Sequence, residues 1–155
     1  MNSFMRCVSR TARCASLYRG EKLEKLGLNG CHHTYILAIC RTPGISQEQL
    51  SRTIYINKSN VTRQLTFLEQ NGFVTRTPDG EDRRIMRVYP TQKALDAYPV
   101  VLEVLEQWQD FVMEDLSPEE REELTRLMQR VNEKAAAYAE GRLAPKERRE
   151  GGEAR

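Results

Sequence analysis

A chain of 155 residues holds one domain with a sizeable core, and nothing in it repeats at a solenoid period. Charged residues make up 30% of it and no apolar run approaches the roughly eighteen residues needed to span a bilayer, which excludes a membrane-spanning helix. The net charge of +2 divides into +4 for residues 1–30, 0 for 31–40, +3 for 41–90, −7 for 91–140 and +2 for 141–155, so basic segments suited to phosphate contact are separated from acidic ones.

The N-terminal flank reads as a helix, with Met5, Val8, Ala12 and Ala15 at helical spacing. Arg6, Arg10 and Arg13 interrupt its apolar character, so no continuous signal-peptide core exists and a cytoplasmic location is expected. Leu23, Leu26 and Leu28 lead to Asn29, a cap for a helix from Cys31 to Arg41 with Ile36, Ile39 and Cys40 on its apolar side. Cys7, Cys14, Cys31 and Cys40 lack paired CxxC spacing, and adjacent His32 and His33 diverge by about 100° on a helix. Neither a metal site nor a cofactor is expected.

The middle of the chain carries two short helices joined by a tight turn. Ser46 and Gln49 form a capping box at the start of the first, which buries Leu50 and Ile54. Tyr55-Ile56-Asn57 breaks the run, and Asn57 caps a second helix, Lys58 to Asn71, whose stripe of Val61, Leu65 and Leu68 faces inward. Gly72 sits where a left-handed C-cap residue belongs. On a 100° wheel Ser59, Thr62 and Arg63 point outward, flanked by Asn60 and Gln64. Arginine pairs with guanine O6 and N7, Asn or Gln with adenine N6 and N7, and a Thr methyl touches thymine, so this face suits base edges. A solvated surface helix would also be polar there, and the next element decides between them. Phe73–Thr77 and Arg84–Tyr89 are β-prone runs around Pro78-Asp79-Gly80, a turn sequence, with Asp82, Arg83 and Arg84 at the tip. An arginine on a projecting loop suits the narrow minor groove.

Leu68-Glu69-Gln70-Asn71-Gly72-Phe73-Val74-Thr75-Arg76, then Asp82-Arg83-Arg84, Val88 and Thr91, resembles the signature of MarR-type regulators, with Asp82-x-Arg84 its most specific part. The resemblance has motif support over Leu28–Ala94 and extends to Tyr138 by helix pattern. Pro90 stands where the family usually has Leu and Ala94 where it usually has Gly, departures that bear on the start of the following helix and not on the wing. The resemblance implies a winged helix-turn-helix inside a triangular homodimer, with Asp82 orienting the wing arginine and Arg84 touching DNA. It further implies a small-molecule effector, commonly an aromatic anion, held between the dimerising helices and the reader, for which Tyr18, His33, Tyr35 and Trp108 are candidates beside the alternative that they are core. Cys14, one helical turn before Tyr18, is distantly similar to the first-helix cysteine of the peroxide-sensing branch; a small buried thiol is the favoured reading.

Beyond the wing, Thr91 caps a long helix carrying Val101, Leu105, Trp108 and Val112, which Pro99 is expected to kink or restart. Ser117-Pro118-Glu119-Glu120 opens a last helix by a capping box, with Leu124, Leu127, Met128, Val131, Ala135 and Tyr138 inward and Gly141 ending it. These stripes call for a partner helix, and two-fold symmetric operators call for two-fold symmetric proteins.

The expected fold is mainly α with a small β-hairpin wing, divided into an N-terminal dimerisation helix (1–30), a winged helix-turn-helix (31–90), C-terminal dimerisation helices (91–140) and a disordered tail (141–155). No GxSxG, phosphate-loop or HExxH pattern supports an enzyme. The expected function is a homodimeric repressor that binds a pseudo-palindromic site on double-stranded DNA and is released by a small ligand, with no membrane partner. The alternatives are a winged-helix protein-interaction module without DNA binding and a cysteine-based peroxide-sensing repressor.

Overall fold

The computed structural model describes residues 3–143, which form two units, the first ending at Asp115 and the second beginning at Leu116. In the first unit, helix α1 (Phe4–Leu23) runs through a 3-10 turn (Glu24–Leu26) to helix α2 (His32–Arg41). Strand β1 (Ile45–Ser46), helix α3 (Gln47–Ile54), helix α4 (Lys58–Gln70), strands β2 (Val74–Pro78) and β3 (Met86–Pro90) and helix α5 (Gln92–Val112) follow. The second unit is helix α6 (Pro118–Leu143). The fold is therefore mainly helical with one small sheet, as expected.

The helix ends follow local capping chemistry. Ser46 Oγ accepts the Gln49 amide at 3.1 Å while Gln49 Oε1 accepts the Ser46 amide at 3.1 Å, which closes the capping box of α3. Asn57 Oδ1 accepts the Asn60 amide at 2.9 Å and starts α4. Thr91 caps α5 despite Pro90 and Ala94, and Ser117 and Glu120 bond reciprocally at the head of α6. Gly72 has φ 76°, the left-handed conformation that ends α4 without a Cβ penalty.

One hydrophobic core serves the whole first unit. Val61, Leu65 and Leu68 of α4, Leu50 of α3 and Tyr35, Ile36 and Ile39 of α2 are buried together with Phe73, Val74 and Val88 of the wing. Ala94, Ala97, Val101 and Val104 bring α5 onto the same cluster. The loop before α2 is fixed by a close backbone approach: a Cβ on Gly30 would lie 2.3 Å from the Ser16 carbonyl oxygen of α1. Only glycine fits there.

Several expectations are corrected. The sheet has three strands in the order β1-β3-β2, because Ile45 and Ser46 pair antiparallel with Val88 and Arg87 before the chain turns into α3. Pro99 lies inside a single continuous α5, so it does not restart the helix. Gly141 does not end α6, which continues to Leu143; the rest of the expected tail, 144–155, lies outside the described residues. The stripe of Leu124, Leu127, Met128, Val131 and Tyr138, expected to point inward, is 38–68% exposed. Phe4, Met5 and Leu17 of α1 and Phe111 and Val112 of α5 are exposed as well. Among the described residues no helix is long and apolar enough to cross a membrane, and no cluster of three His, Cys, Asp or Glu side chains could hold a metal.

Candidate nucleic-acid interface

Helix α4 buries Val61, Leu65 and Leu68 and so turns Ser59, Thr62 and Arg63 to solvent. The Ser59 hydroxyl donates to the capping Asn57 Oδ1 at 2.9 Å. The Thr62 hydroxyl donates to the Lys58 carbonyl at 3.0 Å and accepts from Gln47 Nε2 at 3.4 Å, which ties α3 to α4. Asn60 is half-buried, and its Oδ1 accepts from Arg63 Nη2 at 3.3 Å and from Gln64 Nε2 at 3.4 Å. Gln64 is half-buried too, because its Oε1 meets His32 Nε2 at 3.0 Å. The outward set is therefore Ser59, Thr62 and Arg63, with Asn60 at its edge and Gln64 behind it.

The wing is organised by carboxylates. Asp82 Oδ1 accepts from the Arg84 amide at 3.0 Å and from Arg84 Nε at 3.2 Å, while the Arg84 side chain remains 92% exposed. A cation so placed is oriented at its stem and free at its tip. Arg83 is exposed beside it. Behind the tip, Asp79 Oδ1 accepts the amides of Glu81 and Asp82, and Asp79 Oδ2 accepts from Arg87 Nε at 2.7 Å. The Arg87 bond and those two amides hold the Asp79 carboxyl down at about 2. Arg87 also reaches the Gly44 carbonyl at 3.3 Å, so the loop is tied to the start of the reader. At the root of the wing, Glu69 of α4 accepts the Arg76 amide at 3.1 Å and Arg76 Nη2 at 2.6 Å, which locks β2 to the helix.

Asp79, Arg87 and His32 are contributors that the sequence reading passed over. Pro-Asp-Gly signals a turn, but its pairing with an arginine eight positions later depends on the hairpin register. His32 is fully buried, with Nδ1 accepting the Asn29 amide at 3.1 Å and its ring stacked on Phe67 at 4.8 Å. Burial lowers its pKa, against the bond to Gln64, which raises it.

Of the four ligand candidates, Tyr18 and Trp108 are in contact with each other and Tyr35 lies in the core. The rings of Tyr18 and Trp108 meet at a tilt with centroids 5.2 Å apart, those of Trp108 and Phe111 likewise at 6.0 Å, and the Tyr18 hydroxyl donates to Gln107 Oε1 at 3.4 Å. His33 is half-buried and donates from Nδ1 to the Gly30 carbonyl at 2.9 Å; burial, with the Arg19 charge, pushes its pKa down to about 4. Tyr35 is core, fully buried with an unpartnered hydroxyl and a pKa raised by burial to about 12. A surface pocket of about 300 Å³ is lined by Leu26, Phe73, Lys93, Asp96 and Ala97, none of them a candidate. Cys14 is exposed on α1, not the buried thiol that was favoured.

The MarR family model matches residues 32–86, the stretch from α2 through the wing. The chain is 28% identical over 131 residues to YybA, an uncharacterized HTH-type transcriptional regulator of Bacillus subtilis (strain 168), covering 84% of this chain and 87% of that protein. A solved MarR transcriptional regulator from Methanosarcina mazei Go1 is similar with a TM-score of 0.81 at 26% identity, over 86% of this chain and 96% of that one. A MarR family regulator from Listeria monocytogenes, solved in complex with 26mer DNA, shares the fold with a TM-score of 0.81 at 23% identity, over 90% and 93% of the two chains. With a capped helix pair and a wing built on Asp82 and Arg84, the chain has the winged helix-turn-helix fold of MarR transcriptional regulators, and its residues 32–86 match the MarR family model.

Proposed function

We propose that the protein is a homodimeric repressor that reads a pseudo-palindromic operator, with α4 in the major groove and the wing in the adjacent minor groove. The observation that carries this reading is Arg84, fixed at its stem by Asp82 and 92% exposed at its tip. In the major groove, Arg63 supplies the donors for guanine and Thr62, whose hydroxyl is occupied within the protein, supplies a methyl. Ser59 and Asn60 complete the face, Gln64 supports it from behind, and Arg83 adds phosphate attraction. The basic reader belongs on DNA and the acidic 91–140 segment away from it.

Dimerisation falls to residues 1–30 and 91–140 in this reading. Exposed Leu124, Leu127, Met128 and Val131 on α6 and Phe4, Met5 and Leu17 on α1 form apolar stripes that a second copy would bury, and half-site spacing follows from that symmetry. An effector of small aromatic character fits the Tyr18–Trp108–Phe111 cluster, where Lys22 Nζ lies 5.5 Å from the Tyr18 ring centre. Trp108 is the chain's one tryptophan, so its fluorescence reports on this cluster directly.

The test has two arms. Sequences enriched from a random library by the purified protein should be two-fold related, and the complex should contain two copies per site by molar mass. Small aromatic carboxylates or phenols should quench Trp108 and release that DNA, and Tyr18→Ala should abolish the quenching. Enrichment of no sequence refutes the reader, and quenching without release refutes the effector role.

A further inference from the structure

The polarity of the reading helix is set from inside the protein. His32 Nδ1 accepts the backbone N–H of Asn29, and a backbone N–H can only donate. The neutral ring therefore carries its proton on Nε2, which must donate to Gln64 Oε1 at 3.0 Å. That bond fixes the Gln64 amide with Nε2 as its donor, directed to Asn60 Oδ1 at 3.4 Å, and Arg63 Nη2 donates to the same oxygen at 3.3 Å. The Asn60 oxygen is thus supplied with two donors, and its Nδ2 is the atom left to offer.

From this chain of bonds, and resting on the reading of α4 as the major-groove helix, we infer that His32 is a positioning residue for sequence specificity, which makes Asn60 a donor-only reader. Adenine recognition by asparagine requires the oxygen to accept from N6 while the nitrogen donates to N7. Asn60 is denied the first half of that pair. It selects an edge that presents acceptors alone, guanine O6 and N7 or thymine O4. His32 is placed for this role by its complete burial, its stacking on Phe67 one turn beyond Gln64, and the loop on its other side, where Asn29 Oδ1 also holds the Cys31 amide at 3.0 Å.

Three variants and one spectroscopic measurement test it. In the free protein, ring nitrogen NMR should show His32 as the Nε2–H tautomer; the Nδ1–H tautomer or a freely titrating ring overturns the relay whether or not DNA is read. Selection from a random library should give guanine or thymine at the position whose preference Asn60→Ala erases. His32→Phe keeps the stack and removes the donor, and should admit adenine at that position at least tenfold more often, with the other positions and the salt dependence unchanged. His32→Gln places an amide donor near the Nε2 position and should restore the parental preference. Adenine at the Asn60 position in the parent, an unchanged preference in His32→Phe, or a loss spread over all positions that His32→Gln does not rescue overturns the inference. A parent that enriches no sequence refutes the DNA reading and the specificity role with it, and the tautomer result distinguishes that failure from a failure of the relay.

Discussion

Removing the Glu69 carboxylate should loosen the wing from the reading helix by an amount that the local geometry sets. Glu69 accepts the Arg76 amide and Nε, each at 3.1 Å, and Nη2 at 2.6 Å, and the Arg76 guanidinium also donates to Thr66 Oγ1 at 3.3 Å. The Arg76 side chain is 16% exposed and that of Glu69 37%. Breaking a fully buried pair costs about 3–5 kcal/mol, because a charge is left without a partner, and an exposed pair is worth about 0.2–1 kcal/mol. This pair lies between those limits, so Glu69→Ala should cost about 2 kcal/mol and lower the melting temperature by about 5–8 °C. Replacing both residues, Glu69→Leu with Arg76→Met, removes the stranded charge and should cost clearly less than the sum of the single changes. The assay is thermal and urea unfolding of Glu69→Ala and of the four proteins of the double-mutant cycle, the parent, Glu69→Leu, Arg76→Met and the double variant. A loss below about 0.5 kcal/mol for Glu69→Ala, or strict additivity in the cycle, refutes the reasoning.

Three further outcomes follow from the same structure. Leu127→Glu combined with Val131→Glu places charge on the exposed stripe of α6 and should yield monomers by sedimentation, with operator affinity falling at least a hundredfold; an intact dimer would remove α6 from the interface. His33 is held neutral by burial, with a folded pKa of about 4 against about 6.5 unfolded, so the unfolded chain takes up its proton first as pH falls. Its contribution, at most about 3 kcal/mol, is fully present above pH 6.5 and lost between about 6.5 and 4, and His33→Gln should remove its share of that slope in unfolding measured across the window, leaving the share of the likewise neutral His32. Cys14→Ser should leave DNA release by mild peroxide unchanged; a variant that stays bound while the parent dissociates would make this exposed thiol a redox switch.

What was legible in the sequence was local. The capping boxes of α3 and α6, the Asn57 cap, Gly72 and the 3.6-residue stripe of α4 are decided within one or two helical turns, and each stands where the pattern put it. What was hidden depends on partners distant in the chain. Two residues of β1 are too few to show alternation, and they are recognisable as a strand only through Val88 and Arg87. Gly141 is a weak stop signal because a glycine inside a helix costs only about 1 kcal/mol, which neighbouring good helix formers absorb. Asp79–Arg87 is set by hairpin register, Glu69–Arg76 by the way β2 folds back along α4, and His32–Gln64 joins residues thirty-two positions apart. The candidate list for the reader thus named the helix face, but not that Gln64 serves it from within.

The central claim is that Arg63 and Arg84 read DNA in different grooves, and a salt titration of their alanine variants against a selected operator and random duplex tests it most directly. Arg63→Ala should lose about 1–3 kcal/mol on the operator and little on random DNA, with preference relaxed at one position per half-site. Arg84→Ala should weaken binding to both duplexes and flatten the salt dependence by about one unit per site, and Asp82→Ala should give a milder form of the same change because the oriented Arg84 loses its anchor at 3.2 Å. Binding by Arg84→Ala that matches the parent at every salt concentration would reduce the Asp82–Arg84 pair to a solvated turn and contradict the account.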